Sequence, residues 1–164
     1  MNDRQNVKLE PSIGMKNCVL KRQPKSYNSW NSATKTKKER YKLDIENAFK
    51  KFYPTHTKLT EDLYGIVYYF HKNKNGTDAD NISKPIWDCL SGFLYNDDIQ
   101  IKLRTAGIID ISGGDLNVVD FTNISGEMIL ELIEAFDTTN NFTYIECGLL
   151  HKSMYKFNIE YHGN

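Results

Sequence analysis

Cysteine is scarce in this chain of 164 residues. Cys18, Cys89 and Cys147 are odd in number and far apart, which argues against a disulfide framework or a zinc pattern and makes a reducing cytoplasm the expected compartment. Long apolar runs are missing too, so no membrane span is expected, and the opening Met1-Asn2-Asp3-Arg4-Gln5 lacks the basic-then-apolar layout of a secretion signal. His56, His71, His151 and His162 are scattered and read as ordinary loop or strand-edge residues rather than ligands. There is no internal repeat and no low-complexity tract. The length fits one domain over residues 1–164, large enough to bury a core without disulfides or structural metal.

Net charge is absent as well, but its distribution is uneven. Residues 1–58 carry 14 Lys and Arg against 5 Asp and Glu, a net of +9, and the remainder carry 7 against 16, a net of −9. Two readings stand. The basic part serves a polyanion beside an acidic centre, or the two halves neutralise each other in the fold.

What is present along the chain is a mixed α/β (α+β) pattern. Residues 1–15 are polar, hold Pro11 and Gly14, and are expected to be flexible. Residues 17–22 read as a short strand and Pro24–Trp30 as a loop with two aromatics among polar and basic residues. From Ala33 to Tyr53, Tyr41, Ile45, Ala48, Phe49 and Phe52 fall at helical spacing. Lys35, Lys37, Lys38, Arg40 and Lys42 crowd the first half of that helix, the end where its dipole disfavours positive charge. Leu63–Phe70 is the strongest strand, apolar enough to be central. A second helix follows, with Ile82, Ile86, Cys89 and Leu90 on one face; Pro85 fits only near a first turn, which sets the start near Asp80 or Asn81. Residues 99–103 alternate as a strand. Beyond Gly107, a strand over 116–121, a helix opened by Ser125 and a closing hairpin (142–150 with 154–161) are expected.

The chemistry gathers in residues 78–101, which hold Asp78, Asp80, Asp88, Asp97 and Asp98 with a single lysine, Lys84. So many like charges in one segment repel unless a cation or proton holds them together. Asp78 and Asp80 are two apart, so an extended approach to the helix points both the same way. Lys84 lies one turn on, and Asp97 and Asp98 open the next strand. If that strand pairs beside Leu63–Phe70, the four carboxylates can converge into a hard-oxygen site suited to Mg²⁺ or Mn²⁺. Simpler roles compete: Asp80 or Asn81 as a helix N-cap, and Asp97-Asp98 as a solvated turn. A calcium-binding EF-hand loop starting at Asp78 fails, since its glycine position holds Ser83 and its glutamate position Cys89.

The same segment closely resembles the RusA family of Holliday-junction endodeoxyribonucleases. The shared elements are Asp78-x-Asp80-Asn81-x-x-Lys84, then Asp88-x-Leu90-x-Gly92, then Tyr95-x-Asp97-Asp98-x-Gln100-Ile101. Pro24-x-Ser26-x-Asn28-x-Trp30 is similar to the polar loop after that family's first strand. The resemblance covers residues 18–103 in order and is densest over 78–101. It implies a RusA-like fold, a homodimer, and Mg²⁺-dependent nicking of branched DNA in recombination or repair. By that pattern Asp78, Asp80 and Asp98 are metal ligands with Asp97 a fourth, and Lys84 assists near the scissile phosphate. Asn81 and Gln100 match the motif as supporting residues, Asn81 either in that role or chiefly as the helix cap; Asp88 either caps, pairs with a basic residue or supports the site. Nucleic acid is expected to meet Lys25, Tyr27, Trp30, Lys35, Lys37, Lys38 and Arg40; Tyr27 and Trp30 either stack on bases or cover a core edge. Residues 104–164 lie beyond the resemblance and are expected to form an extension that widens the dimer interface, changes the substrate or meets another protein.

Two further functions belong to other classes. One is a DNA- or protein-binding module on the same fold with catalysis lost. The other is a metal-dependent phosphotransferase, weakened by the lack of a phosphate-cradling glycine loop, since Ser112-Gly113-Gly114-Asp115 reads as a turn.

Overall fold

Alternation and helical spacing decide which side chains reach the interior, and the layers follow from them. The computed structural model describes residues 14–73, 76–114 and 119–156. The first fifteen residues, apart from Gly14 and Met15, lie outside that set. β1 (Lys16–Leu20) turns Cys18 and Leu20 to one face and Val19 to the other, all buried. The loop expected over Pro24–Trp30 instead contains a short helix, α1 (Tyr27–Asn31). The Ser26 hydroxyl accepts from the Ser29 N–H at 3.2 Å and starts that turn.

α2 (Lys35–Phe52) is capped by Thr34 and buries Tyr41, Ile45 and Phe49, one per turn along a single stripe. It ends ahead of Pro54, with Lys50 and Lys51 in the last turn, where the helix dipole favours them. β2 (Leu63–His71) is interior to the sheet, as its apolar run predicts. It ends on His71, buried in a central strand rather than at an edge.

α3 (Ala79–Leu90) starts earlier than expected, with Asp78 in the N-cap position, so Asn81 is the third helical residue and not the cap. Pro85 therefore falls in the second turn. Its missing N–H leaves the Asn81 carbonyl without the usual donor four residues on. The helix persists because Ile82, Ile86, Trp87, Cys89 and Leu90 are buried against the sheet. Gly65 of β2 makes the close approach possible: a Cβ there would stand 2.6 Å from Trp87 Cζ2. The chain then forms a single 3-10 turn at Asp98–Gln100, so the strand expected from Ile99 begins at Ile101. That strand, β3 (Ile101–Asp110), runs parallel to β2, which makes β2–α3–β3 a crossover unit.

Of the strand expected over 116–121, residues 116–118 lie outside the described set, and 119–121 are not in a strand. α4 (Gly126–Thr138) is capped by Ser125 and buries Met128, Leu132, Ala135 and Phe136. β4 (Asn141–Leu149) forms where the first arm of the closing hairpin was expected, but it makes no hairpin with described residues. A 3-10 turn, Lys152–Met154, follows, and 157–161 lie outside the described set. β4 inserts between β1 and β2, antiparallel to both, giving the order β1-β4-β2-β3. The C-terminal third thus completes the sheet instead of standing beyond it.

The outcome is a mixed α+β fold. α2 and α3 cover one face of the sheet over Leu63, Val67, Tyr69, Ile145 and Cys147. α4 covers part of the other over Phe70, Phe142 and Tyr144. The three cysteines are free and buried; burial pushes the Cys89 and Cys147 thiols up to about 12. Among the described residues no helix is long and apolar enough to cross a membrane.

Candidate functional site

The crossover fixes where the acidic residues go. Because β2 and β3 are parallel, the chain leaves one end of β2, returns along α3 and enters β3 from the opposite end. Asp78 and Asp80 stand at the start of α3, whereas Asp97 and Asp98 sit in the turn that follows its other end. The expected convergence at neighbouring element ends does not arise. Among the described residues no three Asp, Glu, His or Cys side chains are spaced to hold a metal ion.

The two halves of the motif are nevertheless in contact. Lys84, one turn beyond Asp80, donates to Asp98 Oδ2 at 3.0 Å and also pairs with Asp88. Arg104 of β3 closes the network, its Nη2 lying 3.0 Å from both the Asp98 carbonyl and Asp98 Oδ2. Partial burial pushes the Asp98 carboxyl up, but Lys84 and Arg104 outweigh it and hold it below the usual carboxylate range. For Lys84, burial disfavours the ammonium, and hydrogen bonds to Asp88 and Asp98 outweigh that and raise it.

Asp97 and Gln100 are engaged elsewhere. Asp97 Oδ1 accepts from the Ile99 N–H at 3.0 Å, and Gln100 Oε1 accepts from the N–H groups of Asn96 and Asp97 at 2.9 and 3.1 Å. This reciprocal cap fixes the turn that carries Asp98. The Gln100 amide also donates to the carbonyls of Leu59 and Glu61, each at 3.1 Å, and so ties the turn to the segment that leads into β2. Gln100 is a clip that sets the position of Asp98.

Asp78 and Asp80 are exposed, and neither pairs with a basic side chain among the described residues. The Asp78 carboxylate makes no capping bond either. Asp78 and Asn81 line an open polar groove of about 490 Å³. Its other wall is the connection from β1 to α1, including Arg22, Lys25, Ser26 and Asn28. A 3.2 Å hydrogen bond from Gln23 Nε2 to Thr77 Oγ1 links the two walls. Buried Tyr41 organises the basic side. Its hydroxyl accepts from the Lys25 N–H at 3.1 Å, and the Arg22 and Lys25 side-chain cations lie 5.3 and 5.6 Å from its ring.

The remaining expected nucleic-acid residues divide. Lys25 lines the groove, and Tyr27, between two lining residues, is 41% exposed. Trp30 is packed against the core with its ring 5.9 Å from that of Tyr41 and with Lys38 5.4 Å over its face. It covers a core edge and is not a free stacking platform. Lys35, Lys37, Lys38 and Arg40 do not line the groove. Sequence reasoning missed Arg22, Gln23, Thr77 and Arg104. Arg104 was within reach as the base two residues beyond Lys102 in the same strand; the others meet only through the folded chain.

Asp78, Asp80 and Asp98 offer hard oxygen donors of the kind Mg²⁺ and Mn²⁺ take, and the first two are free of competing bases among the described residues. No protein-family model matches this chain, and no curated protein matches it in sequence.

Proposed function

We propose that the chain is a divalent-metal-dependent phosphodiesterase acting on nucleic acid. More narrowly, it is an endodeoxyribonuclease that nicks four-way or other branched DNA, working as a homodimer in recombination or repair. The observation that carries this reading is the Lys84–Asp98 contact, which joins the two halves of the acidic motif across α3. A polar groove with cations on one wall and Asp78 on the other supports it. Two-fold symmetry suits two nicks in a two-fold junction.

Asp78, Asp80 and Asp98, with Asp97 the remaining expected ligand, would hold Mg²⁺ or Mn²⁺ once the start of α3 and the turn at Asp98 are drawn together, since as they stand no three are spaced for an ion among the described residues. The chemistry supplied there, when the ion is bound, is activation of a water and stabilisation of charge on the phosphoryl group. Lys84 orients Asp98 and carries positive charge to the same place, where it offsets charge on a phosphate. Arg104 holds Asp98 from the other side, and Gln100 fixes the turn beneath it.

The test is nicking of a synthetic four-way junction against a linear duplex, with Mg²⁺ or with a chelator, at fixed salt. Cleavage that needs the metal, disappears in Asp80→Asn and leaves junction binding intact is the expected result. Unchanged cleavage in Asp80→Asn sinks the site. Junction binding without nicking under either metal favours a binding module instead, a reading supported by the engagement of Asp98 with two cations.

A further inference from the structure

The groove between the β1–α1 connection and the start of α3 has a size and lining that bear on which form of DNA it accepts. We infer that it is a subsite for one unpaired DNA strand, so that the favoured substrate carries a single-stranded segment beside the cut. This inference rests on the nuclease reading and narrows it.

Size is the first consideration. A groove of about 490 Å³ is on the scale of a small-ligand pocket, about 300–1,000 Å³. That volume matches a stretch of one sugar-phosphate chain with about one nucleotide, and it is small beside the girth of a duplex. Lining is the second. The walls are polar, as suits phosphate and sugar more than buried bases. Lys25 makes no ion pair among the described residues and is held by Tyr41 through both its backbone N–H and its ammonium. Arg22 lies on the same ring but shares its charge with Asp44 at 2.6 Å, which leaves Lys25 as the stronger phosphate contact. Asn28 adds an amide on the same wall.

Position is the third. Asp78 lines the groove, so a strand lying in it runs directly to the start of the acidic motif. Tyr27, exposed beside the rim, offers a ring on which an unpaired base can stack, which a paired base cannot do. The basic half of α2 stands apart from the groove and remains available to the paired arms of a branched substrate.

The experiment is fluorescence anisotropy with a labelled oligothymidylate and a blunt duplex of equal length. It uses the full chain in chelator over a salt series, alongside the junction-nicking assay in Mg²⁺. The single strand is expected to bind about tenfold more tightly than the duplex. Lys25→Ala should weaken single-strand binding about tenfold and reduce the salt slope by about one. Tyr27→Ala should weaken it without changing the slope, and Lys156→Ala should change neither. Circular dichroism of Lys25→Ala and Tyr27→Ala checks that both are folded. If the single strand binds no better than the duplex, or if Lys25→Ala, Tyr27→Ala and Asn28→Ala all leave its affinity intact, the groove assignment is wrong. Nicking of the junction by the same preparation then leaves the nuclease reading standing. Groove-dependent single-strand binding without nicking of any DNA overturns the nuclease reading and leaves the subsite.

Discussion

Asp80 and Asp98 belong to one motif but hold their charge in opposite ways. Asp80 is exposed in the first turn of α3 and, like Asp78, meets no base among the described residues. Asp98 is partly buried, shared between Lys84 and Arg104, and carried on a turn that Asp97 and Gln100 cap from both directions. An unpaired exposed carboxylate contributes little to folding, whereas a clipped and counter-charged one contributes to folding, and on the nuclease reading both serve the chemistry. Substitutions at the two ends should therefore separate activity from stability.

The largest effect is expected at Asp80. Asp80→Asn should lower Mg²⁺-dependent nicking by at least about a thousandfold, equivalent to several kcal/mol of transition-state stabilisation. Stability should stay within about 0.5 kcal/mol, as for most exposed substitutions. Single-turnover gel assays and thermal melts check the two parts, and a large drop in Tm would erase the contrast with Asp98.

Gln100→Ala comes next and should show the reverse balance. It removes two accepted and two donated hydrogen bonds and frees the segment that leads into β2. The expected cost is about 2 kcal/mol, or roughly 4–8 °C in Tm for a chain of this size. Junction nicking measured well below the melt should fall less than in Asp80→Asn. A Tm equal to that of the parent chain would show that the clip contributes nothing.

The smallest effect sharpens the comparison further. A double-mutant cycle of Lys84→Met with Asp98→Asn, read by urea unfolding, should give a coupling of about 0.5–1 kcal/mol, modest because the Lys84 side chain is 40% exposed. The coupling should shrink in 1 M salt. A coupling near zero in low salt would mean that Arg104 alone holds Asp98.

Helix α2 was legible because Tyr41, Ile45 and Phe49 fall at helical spacing, α3 because Ile82, Ile86, Cys89 and Leu90 share one face, and strand β2 because Leu63–Phe70 is a near-continuous apolar run. Short elements defined by side-chain caps were not. α1 depends on the Ser26 hydroxyl, and the 3-10 turn at Asp98 on Asp97 and Gln100, interactions that hydrophobic spacing does not register. The residue types of the acidic motif were readable, but their separation along α3 follows from the parallel pairing of β2 with β3. The groove was hidden for a similar reason. Arg22 and Asp78 lie far apart in sequence and meet only when the β1–α1 connection folds beside α3.

The strand order also sets a timetable. Among the described residues β1 pairs only with β4, and β4 is the last of the described strands to be made. During synthesis Val19 and Leu20 must wait, unpaired, until residues 141–149 emerge, and β2 has only β3 beside it for the same interval. Such distant pairing slows folding and leaves strand edges open to other chains. Shortening the chain after Leu103, where the acidic motif is already complete, would leave β1 with no partner strand and so undo the wall that presents Arg22 and Lys25. An acidic segment that looks self-sufficient thus depends on a strand made well after it.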